Sequence, residues 1–231
     1  MKPPLPDIPH AYIHAVEFSY TENDRQFLRS CLPASCLPPK GCVLKREIEF
    51  YAGRVCVQNC YAAFGLYHVL PIPDICTISR APQWPEGFTG SISHCSGLAV
   101  AIVSHNTSYS SLGIDIEQVP TQERAVDLAD MVLTNREHTY RPLELNFSEW
   151  FALVFSAKES LYKMLYPITR CQFDFLDASL QNVFIKNDKR RFSITVKTRK
   201  ILTPCEFNGV FAITDGFIWT MIPLESNLKI G

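Results

Sequence analysis

The sequence lacks a dominant charge. Lys and Arg number 22, Asp and Glu number 23, and the formal net charge is −1 at neutral pH. Without a basic excess nothing points to nucleic acid, and without an acidic run nothing points to a charged, disordered tail. Any anion site must be assembled locally from a few Lys, Arg or His. Long apolar runs are missing too. The longest, LAVAIV at 98–103, falls far short of the roughly 20 residues that span a bilayer, so no transmembrane segment is expected. The opening MKPPLPDIPH has no apolar core and does not read as a signal peptide. A cytoplasmic protein is the expectation, with peripheral attachment to a membrane or a larger complex left open. Cysteine pairs are missing: the nine cysteines include no C-x-x-C, and the nearest two, Cys56 and Cys60, stand one helical turn apart with no partner pair downstream. That argues against a zinc site and for reduced, buried thiols. Arg136-Glu137-His138 does not make the H-E-x-x-H helix of a zinc hydrolase.

What is present is an ordinary globular balance, 47% apolar and 19% charged residues in a chain of 231, enough for one large domain or two small ones. The first 11 residues are Pro-rich and irregular. YIHAVEF (12–18) reads as a strand, and CLPASCLPPKGC (31–42) as a loop. Lys45 to Leu66 has few breakers and reads as a helix despite Gly53. A Pro-rich connection (71–90) leads to SISHCSGLAVAIVS, two strands about a turn at Cys95, Ser96 and Gly97. The polar loop HNTSYSS (105–111) is the best boundary. LGIDIEQV (112–119) is then a strand, helical segments start near Glu123, and Ser148 is placed to N-cap a strong helix reaching about Leu165. RFSITVKTRKIL (191–202) and GVFAITDGFIWTMI (209–222) are strands, the latter a hairpin about Asp215-Gly216. Each half thus offers strand, helix, hairpin. The expectation is an α+β fold built as a pseudo-twofold pair of similar halves, residues 1–108 and 109–231, with a ligand cleft between them; chance recurrence of a three-element order is the alternative.

Four stretches can carry chemistry. In GIDIE (113–117) a strand puts Asp115 and Glu117 on one face and Ile114 and Ile116 on the other. Two neighbouring carboxylates want solvent or a cation. In FSAKESLYK (155–163) Glu159 and Lys163 share a helix face; alone they make an exposed ion pair worth about 0.3–0.5 kcal/mol. Set beside GIDIE, Glu159 brings a third carboxylate, and three hard oxygens suit Mg²⁺, with Lys163 placed for a phosphate on the same metal. In APQWPEGFTGSISH (81–94), Ser93 and His94 are neighbours on a strand and face opposite sides, which disfavours a nucleophile–base pair; no G-x-S-x-G elbow is present. His94 reads as an anion or base contact, or as a satisfied structural histidine. In REIEFYAGR (46–54), Arg46 and Arg54 lie two helical turns apart, either a phosphate clamp or solvated surface.

Together these motifs resemble the 4′-phosphopantetheinyl transferase superfamily, and most nearly its enterobactin synthetase component D branch. G-[IV]-D-[IV]-E stands intact as GIDIE, and [FW]-x-x-K-E-x-x-x-K as FSAKESLYK. P-x-W-P-x-G-x-x-G-S-[IL]-[ST]-H is met at Pro82, Trp84, Pro85, Gly87, Gly90, Ser91, Ile92, Ser93 and His94, and the AGR helix at 52–54. The likeness runs from about Lys45 to Phe175; residues 121–145 and the last strands do not share it. The resemblance implies two similar α+β halves with coenzyme A between them, and transfer of phosphopantetheine from coenzyme A to a serine of an apo carrier protein. It implies Asp115, Glu117 and Glu159 as ligands of Mg²⁺ (Mn²⁺ the alternative), and Glu159 as base, directly or through water. Lys163 is implied on the coenzyme A phosphates, and Arg46, Arg54 and His94 at the 3′-phosphate, with Ser93 and Arg80 nearby. Glu137 holds the place of an alternative base, and Lys158 that of a residue orienting the helix. The branch implies an aryl or peptidyl carrier domain of a nonribosomal siderophore synthetase as partner, and a chain with two halves is expected to be a monomer. A catalytically silent coenzyme A or carrier-binding module is the competing class, and a Ser/His hydrolase a third.

Overall fold

A Pro-rich start gives way to β1 (Ala11–Glu17), which is followed by α1 (Glu22–Ser30) and α2 (Leu44–Ala63). Two short strands, β2 (Asp74–Ile75) and β3 (Pro82–Gln83), pair antiparallel. β4 (Phe88–Cys95) and β5 (Leu98–His105) form a hairpin whose turn residues Ser96 and Gly97 both take positive φ, the turn that matches strand twist. The computed structural model describes residues 1–76, 81–186, 189–197 and 205–226. Chain contacts divide into two units, Met1–Pro3 with Asp7–Ser110, and Pro4–Pro6 with Ser111–Gly231.

In the first unit the sheet order is β1-β5-β4, both pairs antiparallel. Ala99, Ala101 and Val103 alternate along β5 and join one core cluster with Ile48, Ala52, Val55 and Cys56 of α2. Small alanines let the helix approach the sheet. Gly53 belongs to that approach: a Cβ there would stand 2.8 Å from Ile92 Cγ2, so the helix tolerates a residue that costs about 1 kcal/mol elsewhere. α1 is an element the sequence reading missed. Its signals are local: Thr21 Oγ1 accepts from Asp24 N as N-cap, with Glu22 and Asp24 in the first turn and Arg29 in the last.

The second unit takes up β6 (Tyr109–Gln118), α3 (Gln122–Val132), α4 (Asn135–Thr139) and α5 (Phe147–Thr169). A 3₁₀ turn at Phe175–Asp177 leads to β7 (Ala178–Lys186), β8 (Lys189–Val196), β9 (Cys205–Thr214) and β10 (Phe217–Glu225). The sheet order is β6-β10-β9-β8-β7, so β6-β10-β9 repeats the order β1-β5-β4 of the first unit: opening strand beside the last strand of a hairpin. The β9–β10 turn is the expected Asp215-Gly216, both at positive φ. β7 was not foreseen, and residues 198–202 of the predicted strand 191–202 lie outside the described residues. Leu153, Ala157, Leu161 and Met164 of α5 share a core cluster with Ile194, Phe211, Ile218 and Ile222 of the sheet.

Helix α5 departs from expectation at both ends. Its cap is Asn146 rather than Ser148, because an Asn-x-x-Glu box closes there: Asn146 Oδ1 accepts from Glu149 N, and Glu149 Oε2 accepts from Asn146 N. At the other end it runs past Pro167 to Thr169, where Arg170 turns left-handed at φ 53°. Among the described residues no helix is long and apolar enough to cross a membrane. The nine cysteines are free thiols; burial pushes the Cys56 thiol up to about 12.

Candidate active site

The two motifs of the second unit meet because α5 lies close on β6. Gly113 makes that possible: a Cβ there would overlap the Ser160 carbonyl oxygen and sit 3.0 Å from Met164 Cβ. Ser111 Oγ donates to Met164 O at 2.6 Å, and Ser160 Oγ bonds Thr220 Oγ1 of β10 at 2.7 Å. The helix is therefore pinned in rotation and height by small polar groups that would be costly to leave unpaired.

On this frame Lys163 reaches from α5 to β6. Its Nζ donates to Asp115 Oδ1 at 2.6 Å and lies 3.4 Å from Ile114 O. Asp115 is 1% exposed, so the solvated strand face that GIDIE alone allowed is not what forms at this residue. Glu159 stands in the same field. Burial pushes its carboxyl up from the ordinary value, Lys163 pulls it down, and the Asp115 charge pushes it up again. Asp115, Glu159 and Lys163 are thus brought together. Glu117 is half-buried and lines a cavity of about 250 Å³ with Arg124, Leu128, Met131, Phe151 and Phe155. Among the described residues no group of three or more His, Cys, Asp or Glu is gathered closely enough to hold a metal ion. The hard oxygens of Asp115, Glu117 and Glu159 have the right chemistry for Mg²⁺, but they do not form a ready cage.

Lys158, expected to orient the helix, points the other way. It is 1% exposed, donating to Glu137 Oε2 at 2.8 Å and to Val132 O at 2.7 Å. Glu137 is equally buried, and both its oxygens are engaged: Oε2 also accepts from Thr134 N and Thr134 Oγ1, and Oε1 accepts from Leu180 N at 2.7 Å. A carboxylate so fully engaged by protein donors is a structural anchor, which corrects its reading as an alternative base. Burial lowers the Lys158 ammonium, while Glu137 supports its charge.

In the first unit, Arg46 and His94 meet across α2 and β4: Arg46 Nη1 lies 2.9 Å from His94 Nε2. Arg46 Nη1 also donates to Glu49 Oε2 at 3.2 Å, and Tyr20 OH donates to Glu49 Oε1 at 3.2 Å. Glu49 escaped the sequence reading; its signal was a carboxylate one turn after Arg46 on a helix otherwise heading into the core. Arg54 is 7% exposed, its guanidinium stacked 4.1 Å over the Phe50 ring, and Nε meets no hydrogen-bond partner among the described residues. Burial lowers it to about 10. The Cys36 and Asp74 charges oppose that fall in part. Arg46 and Arg54 do not present one solvated stripe, since Arg46 is half-exposed and Arg54 enclosed, but their charges interact. Ser93 is buried while His94 is half-buried, consistent with opposite sides of β4. Arg80 lies outside the described residues.

A helix carrying K-E-x-x-x-K against a G-I-D-I-E strand, preceded by a strand–helix–hairpin unit, defines a 4′-phosphopantetheinyl transferase. Residues 39–104 match the family described as 4'-phosphopantetheinyl transferase N-terminal domain, and residues 111–209 match the 4'-phosphopantetheinyl transferase superfamily. The chain is 33% identical over 168 residues to enterobactin synthase component D of Escherichia coli O157:H7, covering 70% of this chain and 78% of that protein. It is 33% identical over 195 residues to 4'-phosphopantetheinyl transferase Svp of Streptomyces mobaraensis, covering 80% of this chain and 74% of the other. It is 31% identical over 139 residues to 4'-phosphopantetheinyl transferase PptT of Mycobacterium tuberculosis, covering 60% and 59%. The chain belongs to the 4′-phosphopantetheinyl transferase superfamily, whose members modify carrier proteins.

Proposed function

We propose that this chain moves 4′-phosphopantetheine from coenzyme A to a serine of an apo carrier protein and releases adenosine 3′,5′-bisphosphate, with Mg²⁺ (or Mn²⁺) as its metal. The observation that carries the reading is the meeting of Asp115, Glu159 and Lys163 where α5 lies on β6. Asp115, Glu117 and Glu159 would hold the cation, and the repulsion between Asp115 and Glu159 is what a divalent ion would relieve. When bound, the cation neutralises the diphosphate and stabilises charge on the leaving bisphosphate. Glu159 takes the serine proton directly or through one water. The serine oxygen forms its bond to the β-phosphorus as the bond to the bisphosphate oxygen breaks. Lys163 passes from Asp115 to the diphosphate. Arg54, Arg46 and His94 are assigned to the 3′-phosphate, with Ser93 beside His94 in sequence and Arg80 assigned from sequence alone. The cavity beside Glu117, mostly apolar, suits the uncharged pantetheine arm.

Relatives named enterobactin synthase component D make aryl and peptidyl carrier domains of a siderophore synthetase the first substrates to test. We place the chain in the cytoplasm as a monomer, within reach of such a synthetase. The test incubates apo carrier with coenzyme A and Mg²⁺ and follows intact-protein mass. A phosphopantetheine-sized gain that disappears with chelator, and in Asp115→Ala of unchanged fold, is expected. No gain across aryl, peptidyl and fatty-acyl carriers while coenzyme A still binds would make the chain a silent binding module.

A further inference from the structure

The first unit holds a buried carboxylate where the proposed function wants only cations. Glu49 is 7% exposed, on α2 one turn after Arg46. Its Oε2 accepts from Arg46 Nη1 at 3.2 Å and lies 3.8 Å from His94 Nδ1; its Oε1 accepts from Tyr20 OH at 3.2 Å. Arg46 Nη1 is meanwhile 2.9 Å from His94 Nε2. An arginine only donates, so in this arrangement His94 Nε2 is the acceptor and its ring proton is on Nδ1, the nitrogen that faces Glu49. The side chain of Arg46 is 51% exposed and that of Glu49 is 9% exposed, so the cation, not the carboxylate, is offered to solvent.

We infer that Glu49 is a positioning residue that holds Arg46 and His94 for a phosphate monoester and supports the imidazolium form of His94 once that phosphate is bound. This rests on the 3′-phosphate reading above and adds how the site gains its charge. As phosphate arrives, Arg46 transfers its hydrogen bond from His94 Nε2 to a phosphate oxygen. The vacated Nε2 takes a proton from solvent and donates to the phosphate, while Nδ1–H stays directed toward Glu49. Opposite charge on both sides of the ring favours the protonated form. Among the described residues, the charged or titratable groups of this cluster include Arg46 and Glu49 from α2, Tyr20 on Glu49, Lys45 over the Tyr20 ring at 5.2 Å, and Cys95 next to His94 on β4. Glu49 is the anion among them whose removal leaves the cations in place. The consequence is a preference for coenzyme A over dephospho-coenzyme A that weakens as pH rises through the titration of His94, and Glu49 sets that pH.

The experiment measures KM and kcat for coenzyme A and dephospho-coenzyme A from pH 6 to 9 in the wild type, Glu49→Gln, His94→Asn and the double variant, with the imidazole titration of His94 followed by NMR. In Glu49→Gln, KM for coenzyme A is expected to rise roughly tenfold, the scale of one charge-assisted hydrogen bond. KM for dephospho-coenzyme A and both kcat values are expected to stay near wild type. The preference should be lost at lower pH, and the His94 titration should move the same way. In the His94→Asn background the Glu49 effect on pH dependence should vanish. Unchanged pH profiles and His94 titration, or a fall in KM from lost repulsion, would overturn the proposal. A merely structural Glu49 would lower both kcat values and leave the pH of crossover unmoved, which also counts against it. If Glu49→Gln proves too unstable to assay, Tyr20→Phe, which frees Oε1, serves instead, and a His94 titration identical to wild type would then decide against the role. A wild type indifferent to the 3′-phosphate at every pH would instead refute the 3′-phosphate reading itself, whatever Glu49 does.

Discussion

Replacing Lys158 by Met is the sharpest test of how the second unit holds its motif helix. The Lys158–Glu137 pair is 1% exposed on both sides at 2.8 Å. Met keeps most of the aliphatic stem and removes only the ammonium. What remains is a buried carboxylate held by three neutral donors, Thr134 N, Thr134 Oγ1 and Leu180 N, and the Val132 carbonyl short of a donor. Breaking a buried pair at one end costs about 3–5 kcal/mol, because the surviving charge stays desolvated. For a chain of this size each kcal/mol moves the melting temperature by roughly 2–4 °C, so a fall on the order of 6–20 °C follows. Urea unfolding reads the same loss as a lower midpoint at unchanged slope. The mechanism makes a second demand: adding Glu137→Gln to Lys158→Met should recover much of the loss, because it removes the stranded charge and keeps an amide oxygen for the same donors. A single variant within 1 kcal/mol of wild type, or a double variant less stable than the single, would refute the reasoning.

Three further outcomes follow from the same geometry. Gly113→Ala should force α5 away from β6, costing on the order of 1–3 kcal/mol by overpacking and lowering kcat more than KM for coenzyme A; wild-type kcat would deny that the strand–helix approach matters. Glu159→Gln should abolish transfer and yet stabilise the protein at pH 7. Its folded-state carboxyl is raised above the ordinary 4.5, so the native state binds the proton more tightly and wild-type stability falls as pH climbs from 4.5 through the raised value. The Gln variant lacks that penalty, and its thermal advantage should be present at pH 7 and vanish below about pH 4.5; an advantage independent of pH would show that another cause operates. Arg54→Ala should weaken coenzyme A more than dephospho-coenzyme A, and equal losses would remove Arg54 from the 3′-phosphate.

Much of the framework was legible because local chemistry and tertiary contacts agree. Asp215-Gly216 marks its hairpin, and the long α2 and α5 show in unbroken stretches with few breakers, whereas the expected polar loop 105–111 shrinks to the three residues between β5 and β6. What escaped depends on partners distant in sequence. β7 alternates weakly, and it is held by pairing with β8. Glu49 and Lys158 are charged residues on helices, and sequence spacing cannot tell an enclosed charge from a solvated one. The enclosing groups, Tyr20 and His94 for one and Glu137 and Val132 for the other, come from separate elements. The Glu159–Lys163 spacing suggested an ion pair along the helix, whereas Lys163 reaches across to Asp115.

The adjacency of Lys158 and Glu159 has a geometric reason. Successive helical residues are about 100° apart, so one turn of α5 can send Lys158 inward to Glu137 and the end of α3, while Glu159 and Lys163 face β6. The inward charge is what fixes the outward ones. An apolar residue at 158 could bury itself at many rotations of α5, since dispersion contacts have no direction. An ammonium that must find Glu137 Oε2 and Val132 O together accepts few of them. Rotation of α5 sets where Glu159 points, and the proposed reaction needs its carboxylate within about 3 Å of a serine hydroxyl or one water away. Lys158→Met, assayed well below its melting temperature, should therefore lose kcat while Glu137→Gln restores part of it. Recovery of stability without recovery of kcat would separate the two roles and show that Lys158 holds the fold but not the aim of Glu159.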